Sequence, residues 1–273
     1  MAETAASGGA HNIHLTLAYD GTDFHGWQVQ PGLRTVEGVL ESALSDLEGL
    51  PVDVHGASRT DQGVHALGQS ASFVTSSRIP VERYVKALNA RLPLDLRVCA
   101  ARSMPLEFHA RFSAVGKHYR YCLDGSSVPA IFSARYTLHY PYPSLRLDDL
   151  RLAAKVLEGE HDFASFQCQS EDAPLTSVRR VDAILVTENG SLLHIDVWGR
   201  SFLYKMVRTM VGTLLEVGRG KWSAARVKEA LEARDRRLAG PTAPAHGLTL
   251  CSVAYELAAM YPAIREACSG PNG

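Results

Sequence analysis

A short polar stretch, residues 58–66, holds the residue types best suited to chemistry. Arg59 stands two positions before Asp61, and Gly63 stands two positions after it. Glycine tolerates the backbone conformations of tight turns, so Gly63 favours a turn that presents Asp61 outward. A carboxylate held near a guanidinium stays ionised at neutral pH, because the opposite charge favours the charged form. An ionised carboxylate acts as a nucleophile or a general base. The alternative interpretation is an Asx-turn or a salt bridge within a loop.

Two later stretches alternate aromatic rings with cations. The first contains Phe108, His109, Ala110, Arg111 and Phe112, and the second contains Lys117, His118, Tyr119, Arg120 and Tyr121. Cations meet phosphates and rings stack on unpaired bases, so this mixture is typical of proteins that bind RNA. For Tyr119 and Tyr121, the alternative is that both are ordinary strand residues.

The charges are unevenly distributed, although the formal net charge is only −1. Residues 20–61 carry eight acids and two bases, a net charge of −6. Residues 78–120 carry nine bases and three acids, a net charge of +6. A basic stretch in a neutral protein indicates an anionic partner bound by one face, and an ordinary solvated surface is the alternative.

A further cation stands on an apolar helix predicted over residues 202–217. Arg208 shares one stripe of this helix with Tyr204, Val211 and Leu215. Burying a charge without a partner is very costly, so a buried Arg208 requires a buried anion, and Asp61 is the obvious candidate. The alternative is that Arg208 lies at the edge of the stripe and extends to water.

Several classes of protein are disfavoured by composition and motif content. The five cysteines form no CxxC pair and the eleven histidines show no HExxH spacing, so we predict no metal site. No GxGxxG or GxxxxGK[ST] motif is present, so we also predict no nucleotide cofactor. No apolar run approaches the length of a membrane span. The cysteine usage and the absence of a targeting signal predict a cytoplasmic protein, with an organellar one as the alternative.

The elements that must position these residues follow from hydrophobic periodicity. Alternating patterns predict strands at 12–19, 52–57, 69–74 and 96–101. Helical spacing predicts one helix between Thr35 as its cap and Gly49 as its stop, and a second opened by Pro80. The resulting order, β-α-β-β-α-β, is the split βαβ or ferredoxin-like arrangement, an antiparallel sheet with helices on one face.

The second half repeats this order loosely. It contains predicted strands at 118–123, 180–187, 192–198 and 248–255, and predicted helices at 147–157, 202–217 and 224–234. We therefore predict an α+β protein with two ferredoxin-like subdomains, built on antiparallel or mixed sheets that form a central cleft. The predicted boundaries are a tail at 1–11, an N-terminal subdomain at 12–112 that carries the catalytic loop, a C-terminal subdomain at 113–258, and a tail at 259–273.

Six segments, taken in order, resemble the motifs of the TruA family of tRNA pseudouridine synthases. They are residues 19–28, 59–66, 108–113 with 119–121, 162–166, 202–208 and 247–250. The resemblance implies the pseudouridine synthase fold and a cofactor-free isomerase. Such an enzyme detaches uracil from its ribose within RNA, rotates the base and rejoins it through carbon 5. The implied substrate is uridine at positions 38, 39 or 40 of the tRNA anticodon stem-loop, and the implied assembly is a homodimer.

The resemblance also implies roles for individual residues. Asp61 is the catalytic aspartate, acting as nucleophile on the ribose or on the base, and Arg59 helps to extrude the target nucleotide. Tyr119 stacks on the uracil and assists the proton step, and Arg208 pairs with Asp61 across the cleft. Leu250 forms an apolar wall near the base. The implied RNA contacts are Phe108, His109, Ala110, Arg111 and Phe112.

The sequence departs from the family pattern at several positions. Ser58 replaces the usual glycine and Gln62 replaces the common alanine, while Glu171 and Asp172 stand where many members carry a base. The bulkier Gln62 leaves open a synthase of the same family with a different RNA target. A catalytically silent RNA-binding or scaffold homologue would lack Asp61, Tyr119 or Arg208, and all three are present. A phosphotransferase would need a phosphate loop or paired metal-binding carboxylates, and neither pattern occurs.

Overall fold

The computed structural model describes residues 9–141, 145–169, 175–257 and 259. The chain forms two compact units, Met1–Ala114 and Val115–Gly273. Most of the two predicted tails, together with Glu171 and Asp172, lies outside the described residues. Those predictions therefore stay predictions.

The first unit contains the predicted order of elements. These are β1 (His11–Tyr19), α1 (Val36–Glu48), β2 (His55–Gly56), β3 (His65–Thr75), α2 (Val81–Asn89) and β4 (Leu96–Met104). The strands lie in the order β4-β1-β3, with β2 paired to β3, and all of these pairs are antiparallel. This is the strand order of a split βαβ unit, so the ferredoxin-like prediction for the first half is confirmed.

Local sequence signals explain where α1 begins and ends. The Thr35 hydroxyl accepts a hydrogen bond from the Gly38 backbone N–H, which caps the first turn as predicted. Gly49 ends the helix in the left-handed conformation. Leu40 and Leu44 of α1 are fully buried, as is Leu15 of β1, and they form part of the core of this unit.

One predicted strand is much shorter than the sequence suggests. The prediction of a strand over 52–57 is wrong except for His55–Gly56. Gly56 lies directly against the indole of Trp27, since a Cβ atom built on it would approach that ring to 2.2 Å. The strand is short because the Val52 and Val54 backbone N–H groups donate to Ser45 Oγ and Glu41 Oε1 of α1 and not to a neighbouring strand. Conversely, β3 begins at His65 and is longer than the predicted 69–74.

The second unit repeats the same core arrangement with additions. Its elements are β5 (Gly116–Asp124), β6 (Leu138–His139), α3 (Leu147–Val156), β7 (Gly159–Asp162), β8 (Val178–Asn189), β9 (Leu192–Gly199), α4 (Met206–Gly218), α5 (Ala224–Ala233) and β10 (Leu248–Ala254). The strands lie in the order β10-β5-β9-β8-β7, and β6 pairs in parallel with β5. Without β6 and β7, this order matches that of the first unit. In the parts of the chain that the structure describes, no helix is long and apolar enough to cross a membrane.

The start of α4 differs from the prediction. The predicted helix covers 202–217, whereas the observed helix begins at Met206. Lys205 adopts a left-handed conformation with φ of 59°, and this conformation is incompatible with a continuing right-handed helix. Tyr204 therefore lies outside α4, and the stripe predicted for Arg208 retains only Val211 and Leu215 within the helix.

Candidate active site

Asp61 lies at the first position of a tight turn between β2 and β3. The Val64 backbone N–H donates to the Asp61 carbonyl oxygen over 3.1 Å, which closes the turn. Gly63 has φ of 78°, a left-handed conformation typical of glycine at the third position of such turns. The prediction that Gly63 permits a turn is therefore confirmed. Asp61 is half-buried, whereas Arg59 is exposed and Thr60 between them is buried.

The predicted RNA-contacting stretch is fixed to the sheet of the first unit. The Asn12 side-chain amide donates to the carbonyl oxygen of Phe108 over 2.6 Å. The buried Ala110 donates its backbone N–H to the Ser72 hydroxyl over 3.0 Å. These bonds tie the stretch to β1 and β3, so its exposed side chains are presented from a fixed backbone.

Three rings of this region lie against one another, and two of them are stacked. The His55 and His109 rings lie parallel with centroids 4.7 Å apart, and the Phe112 centroid lies 4.4 Å from that of His109. Burial lowers the pKa of His109, and the neighbouring His55 and Arg111 lower it further, so the neutral ring is favoured. Phe112 is 71% exposed. Sequence reasoning missed His55, which has no local signal linking it to residues more than fifty positions away.

Tyr119 and Leu250 are brought together in the second unit. They are paired residues of the neighbouring strands β5 and β10, and both are buried. The Phe202 ring meets the Tyr119 ring edge to face, with centroids 5.4 Å apart. Tyr121 is fully buried and its hydroxyl donates to the Pro244 carbonyl oxygen over 2.9 Å, so for Tyr121 the structural interpretation is the better one.

Arg208 lies in the first turn of α4 and is anchored to the segment before β10. Its Nε donates to the Ala243 carbonyl oxygen over 2.8 Å, and the Ala243 backbone N–H donates to the Arg208 carbonyl oxygen over 3.1 Å. Arg208 is half-buried, between the buried residues Val207 and Thr209. Its side chain is therefore restrained, as a group that positions a carboxylate requires. The pairing of Arg208 with Asp61 stays a prediction.

On the opposite face of β5, a buried carboxylate lies between a histidine and an arginine. Asp196 of β9 is almost fully buried, and its Oδ1 lies 2.5 Å from His118 Nε2 and 2.8 Å from Arg120 Nε. Burial alone raises the pKa of Asp196, but the hydrogen bonds from His118 and Arg120 outweigh it and leave this pKa below its ordinary value. The network joins β9 to the strand that carries Tyr119.

We expect Asp196→Asn to destabilise the protein by about 3 kcal/mol. This value is at the lower end of the range for breaking a buried ion pair, because Arg120 can still reach water. Thermal unfolding at pH 7 measures the effect. The depressed pKa of Asp196 stabilises the fold above the ordinary aspartate pKa of about 4, and this stabilisation is lost as the pH falls further. The difference from wild type therefore shrinks in acid.

The matched control is Asp182→Asn, which removes a carboxylate paired with the exposed Arg180 on the neighbouring strand β8. An exposed ion pair contributes at most about 1 kcal/mol. Equal unfolding temperatures for the two variants would contradict a stabilising role for the Asp196 network.

Comparison with known proteins decides the family. Residues 16–113 and 153–256 match the sequence model of a family described as tRNA pseudouridine synthase. The chain belongs to this family. The tRNA pseudouridine synthase A of Bacillus subtilis is 46% identical over 248 residues, which cover 89% of this chain and 99% of that protein. The tRNA pseudouridine synthase A of Acetivibrio thermocellus is 42% identical over 244 residues, which cover 89% of this chain and 99% of that protein. The tRNA pseudouridine synthase A of Halalkalibacterium halodurans is 46% identical over 237 residues, which cover 86% of this chain and 89% of that protein.

Membership of the tRNA pseudouridine synthase family confirms the predicted resemblance and the predicted α+β fold. The matched segments contain Arg59, Asp61, Arg208 and Leu250, together with the stretch 108–112. Tyr119 lies between the two matched segments, so its role rests on the motif resemblance and on its buried position next to Leu250.

Proposed function

We propose that this chain isomerises uridine to pseudouridine in tRNA, at positions 38, 39 or 40 of the anticodon stem-loop. The observation that carries the proposal is a family match over most of the chain that includes Asp61 at the start of a glycine-dependent turn. The matched relatives are named tRNA pseudouridine synthase A, which supports tRNA as the substrate. The finer assignment to the anticodon stem-loop rests on the motif resemblance.

The reaction is balanced within one nucleotide. The bond between uracil N1 and ribose C1′ breaks, a bond between uracil C5 and C1′ forms, and the C5 proton is lost while N1 gains one. Asp61 supplies the nucleophile that allows the first bond to break. Tyr119 stacks on the detached uracil beside Leu250 and assists the proton step, and Arg208 holds the Asp61 carboxylate. No electrons enter or leave, so the reaction itself requires no redox cofactor.

The target base must leave its helical stack before it can react, at a cost of a few kcal/mol. Arg59 is exposed beside the turn that carries Asp61, and in this proposal it holds the flipped state. Arg111 and the exposed Phe112 combine a cation with an aromatic face, and the Arg111 guanidinium lies 5.6 Å from the centre of the Phe112 ring. We further propose that the enzyme acts in the cytoplasm as a homodimer whose bound tRNA spans both subunits.

Arg111→Ala should weaken tRNA binding and reduce its salt dependence. Each phosphate contact releases condensed counterions, so the slope of log K against log salt should decrease by about 0.7–0.9. Filter binding across a series of salt concentrations measures this slope. The control variant Arg111→Lys keeps the charge and should keep the slope. An unchanged slope in Arg111→Ala would show that Arg111 does not contact a phosphate of the RNA.

The direct test of the function uses the purified protein alone with unmodified tRNA transcripts. Pseudouridine is mapped by carbodiimide modification and primer extension, with transcripts carrying cytidine at 38, 39 and 40 as controls. Product at these positions alone supports the proposal. Tight tRNA binding without product on any transcript would overturn it, and would favour a different RNA target, the alternative suggested by the exposed Gln62 beside Asp61. Total RNA is the substrate that tests this alternative.

A further inference from the structure

The loop between β1 and α1, residues 20–27, packs against the turn that carries Asp61. The Trp27 backbone N–H donates to the Thr60 carbonyl oxygen over 3.0 Å, and the Gly63 backbone N–H donates to the Phe24 carbonyl oxygen over 3.4 Å. These bonds lie on both sides of Asp61 in the sequence. The backbone of the turn is therefore held before and after the carboxylate.

Buried side chains hold the same turn from the sheet. The Tyr19 hydroxyl and the Thr60 hydroxyl lie 2.8 Å apart. Gln69 of β3 donates to the Ser58 carbonyl oxygen over 2.6 Å and accepts from the Ser58 backbone N–H over 3.2 Å. Its amide also lies 3.4 Å from the Tyr19 hydroxyl. Tyr19, Thr60 and Gln69 are all buried, so these bonds are shielded from water.

Gly26 lies close to the backbone of the turn that carries Asp61. It has φ of 89°, and a Cβ atom built on it would lie 2.8 Å from the Thr60 carbonyl oxygen and 3.3 Å from the Asp61 carbonyl carbon. Both of these atoms belong to the backbone and cannot move aside as a flexible side chain can. Any side chain at position 26 must therefore displace the turn.

The loop 20–27 is itself anchored to α1. The Val36 backbone N–H donates to the Gly26 carbonyl oxygen over 3.1 Å, and the Glu37 backbone N–H donates to the Trp27 carbonyl oxygen over 3.0 Å. The Glu37 carboxylate accepts from the Trp27 indole N–H over 2.9 Å. These bonds satisfy N–H groups at the start of α1 that have no partner within the helix. Helix α1 thus provides a rigid base for the contact with the turn.

We propose that Gly26 and the Tyr19–Thr60 hydrogen bond are positioning elements that fix the Asp61 backbone for the reaction. The inference rests on the proposed role of Asp61 as the nucleophile. A misplacement of a reacting group by about 1 Å can reduce a rate by about 100-fold, so a contact that holds the turn within tenths of an ångström controls catalysis without touching the substrate.

The test compares Gly26→Ala with Gly32→Ala. Both glycines have a positive φ, so both substitutions introduce the same type of backbone strain, but a Cβ atom at Gly32 meets nothing within 4 Å. We expect Gly26→Ala to reduce kcat by about 100-fold, with KM and the Kd for tRNA within threefold of wild type. Gly32→Ala should keep the wild-type kcat. Circular dichroism and thermal unfolding report whether each variant is folded.

A second pair of variants tests the hydrogen bond without altering a glycine. Thr60→Val keeps the shape of the side chain and removes its hydroxyl, whereas Thr60→Ser keeps the hydroxyl. We expect Thr60→Val to reduce kcat at least 10-fold at unchanged KM, and Thr60→Ser to restore most of the rate. A purely structural role would instead lower the unfolding temperature without separating kcat from KM.

The outcomes distinguish this inference from the function on which it rests. Wild-type kcat in folded Gly26→Ala, or equal rates for Thr60→Val and Thr60→Ser, would overturn the positioning role. Pseudouridine formation by Asp61→Asn would instead overturn the role of Asp61. If Gly26→Ala does not fold, the Thr60 pair still decides the question.

Discussion

Asp61→Asn should abolish pseudouridine formation while tRNA binding stays within a few-fold of wild type. The amide keeps the shape of the carboxylate but is not a nucleophile, so the bond between uracil N1 and ribose C1′ can no longer be broken with its help. Loss of an essential nucleophile commonly reduces kcat by factors of about 10⁴–10⁶. Single-turnover assays with excess enzyme measure the chemical step directly, since they remove product release from the observed rate.

The carboxylate Asp53 provides the matched control for this substitution. It lies in the same unit with its side chain 82% exposed, and Asp53→Asn should retain the wild-type rate. Residual turnover in Asp61→Asn within about 100-fold of wild type would contradict the assignment of the nucleophile. Asp61→Glu keeps the charge and moves it by one methylene, so a loss of about 100-fold there would separate the need for position from the need for charge.

The sequence predicted those features that depend on neighbouring residues. The cap at Thr35 and the stop at Gly49 act within one turn of α1, and the structure places both as predicted. The turn at Gly63 is a local feature of the same kind. The strand order of the first unit followed from the sequence of elements, because few arrangements connect a β-α-β-β-α-β chain without crossings. The same holds for the second unit except for β6 and β7, which the sequence did not predict.

The errors arose where distant residues or unusual backbone conformations decide the local structure. The strand predicted over 52–57 is shorter because the Val52 and Val54 backbone N–H groups donate to the Ser45 and Glu41 side chains of α1. The helix predicted from residue 202 starts later because Lys205 adopts a left-handed conformation, which lysine seldom adopts and no local pattern indicates. Hydrophobic periodicity indicates neither cause, because it reports only which face of a segment is apolar.

The candidate site shows the same division. The motifs predicted Asp61 and Arg208 as site residues by residue type and spacing, but they did not predict the contacts that hold them. The Tyr19–Thr60 hydrogen bond joins residues 41 positions apart, and the stack of His55 on His109 joins residues 54 positions apart. Such contacts depend on how the strands and the segments between and after them assemble, and no local sequence pattern indicates them.

Gly212→Ala should be among the most destabilising single substitutions in the second unit. A Cβ atom on Gly212 of α4 would lie 1.7 Å from the Pro241 carbonyl oxygen. Alanine at a helix interior gains about 1 kcal/mol over glycine, but forcing the backbone of residues 241–243 away from α4 costs more. We expect a net loss of about 3 kcal/mol, or roughly 6–12 °C in Tm, measured by calorimetry.

Gly38→Ala in α1 is the control for Gly212→Ala, since it shows the effect of helix propensity on stability without a close backbone contact. Its Cβ atom would lie 3.1 Å from the Thr35 hydroxyl, a side-chain atom that can adjust, so the change in stability should stay within about 1 kcal/mol.

In Gly212→Ala the displaced segment includes Ala243, whose carbonyl oxygen accepts the hydrogen bond from Arg208 Nε. The same substitution should therefore lower kcat at temperatures where the protein remains folded. A Gly212→Ala variant with wild-type Tm and kcat would show that neither the close approach nor the anchoring of Arg208 is required.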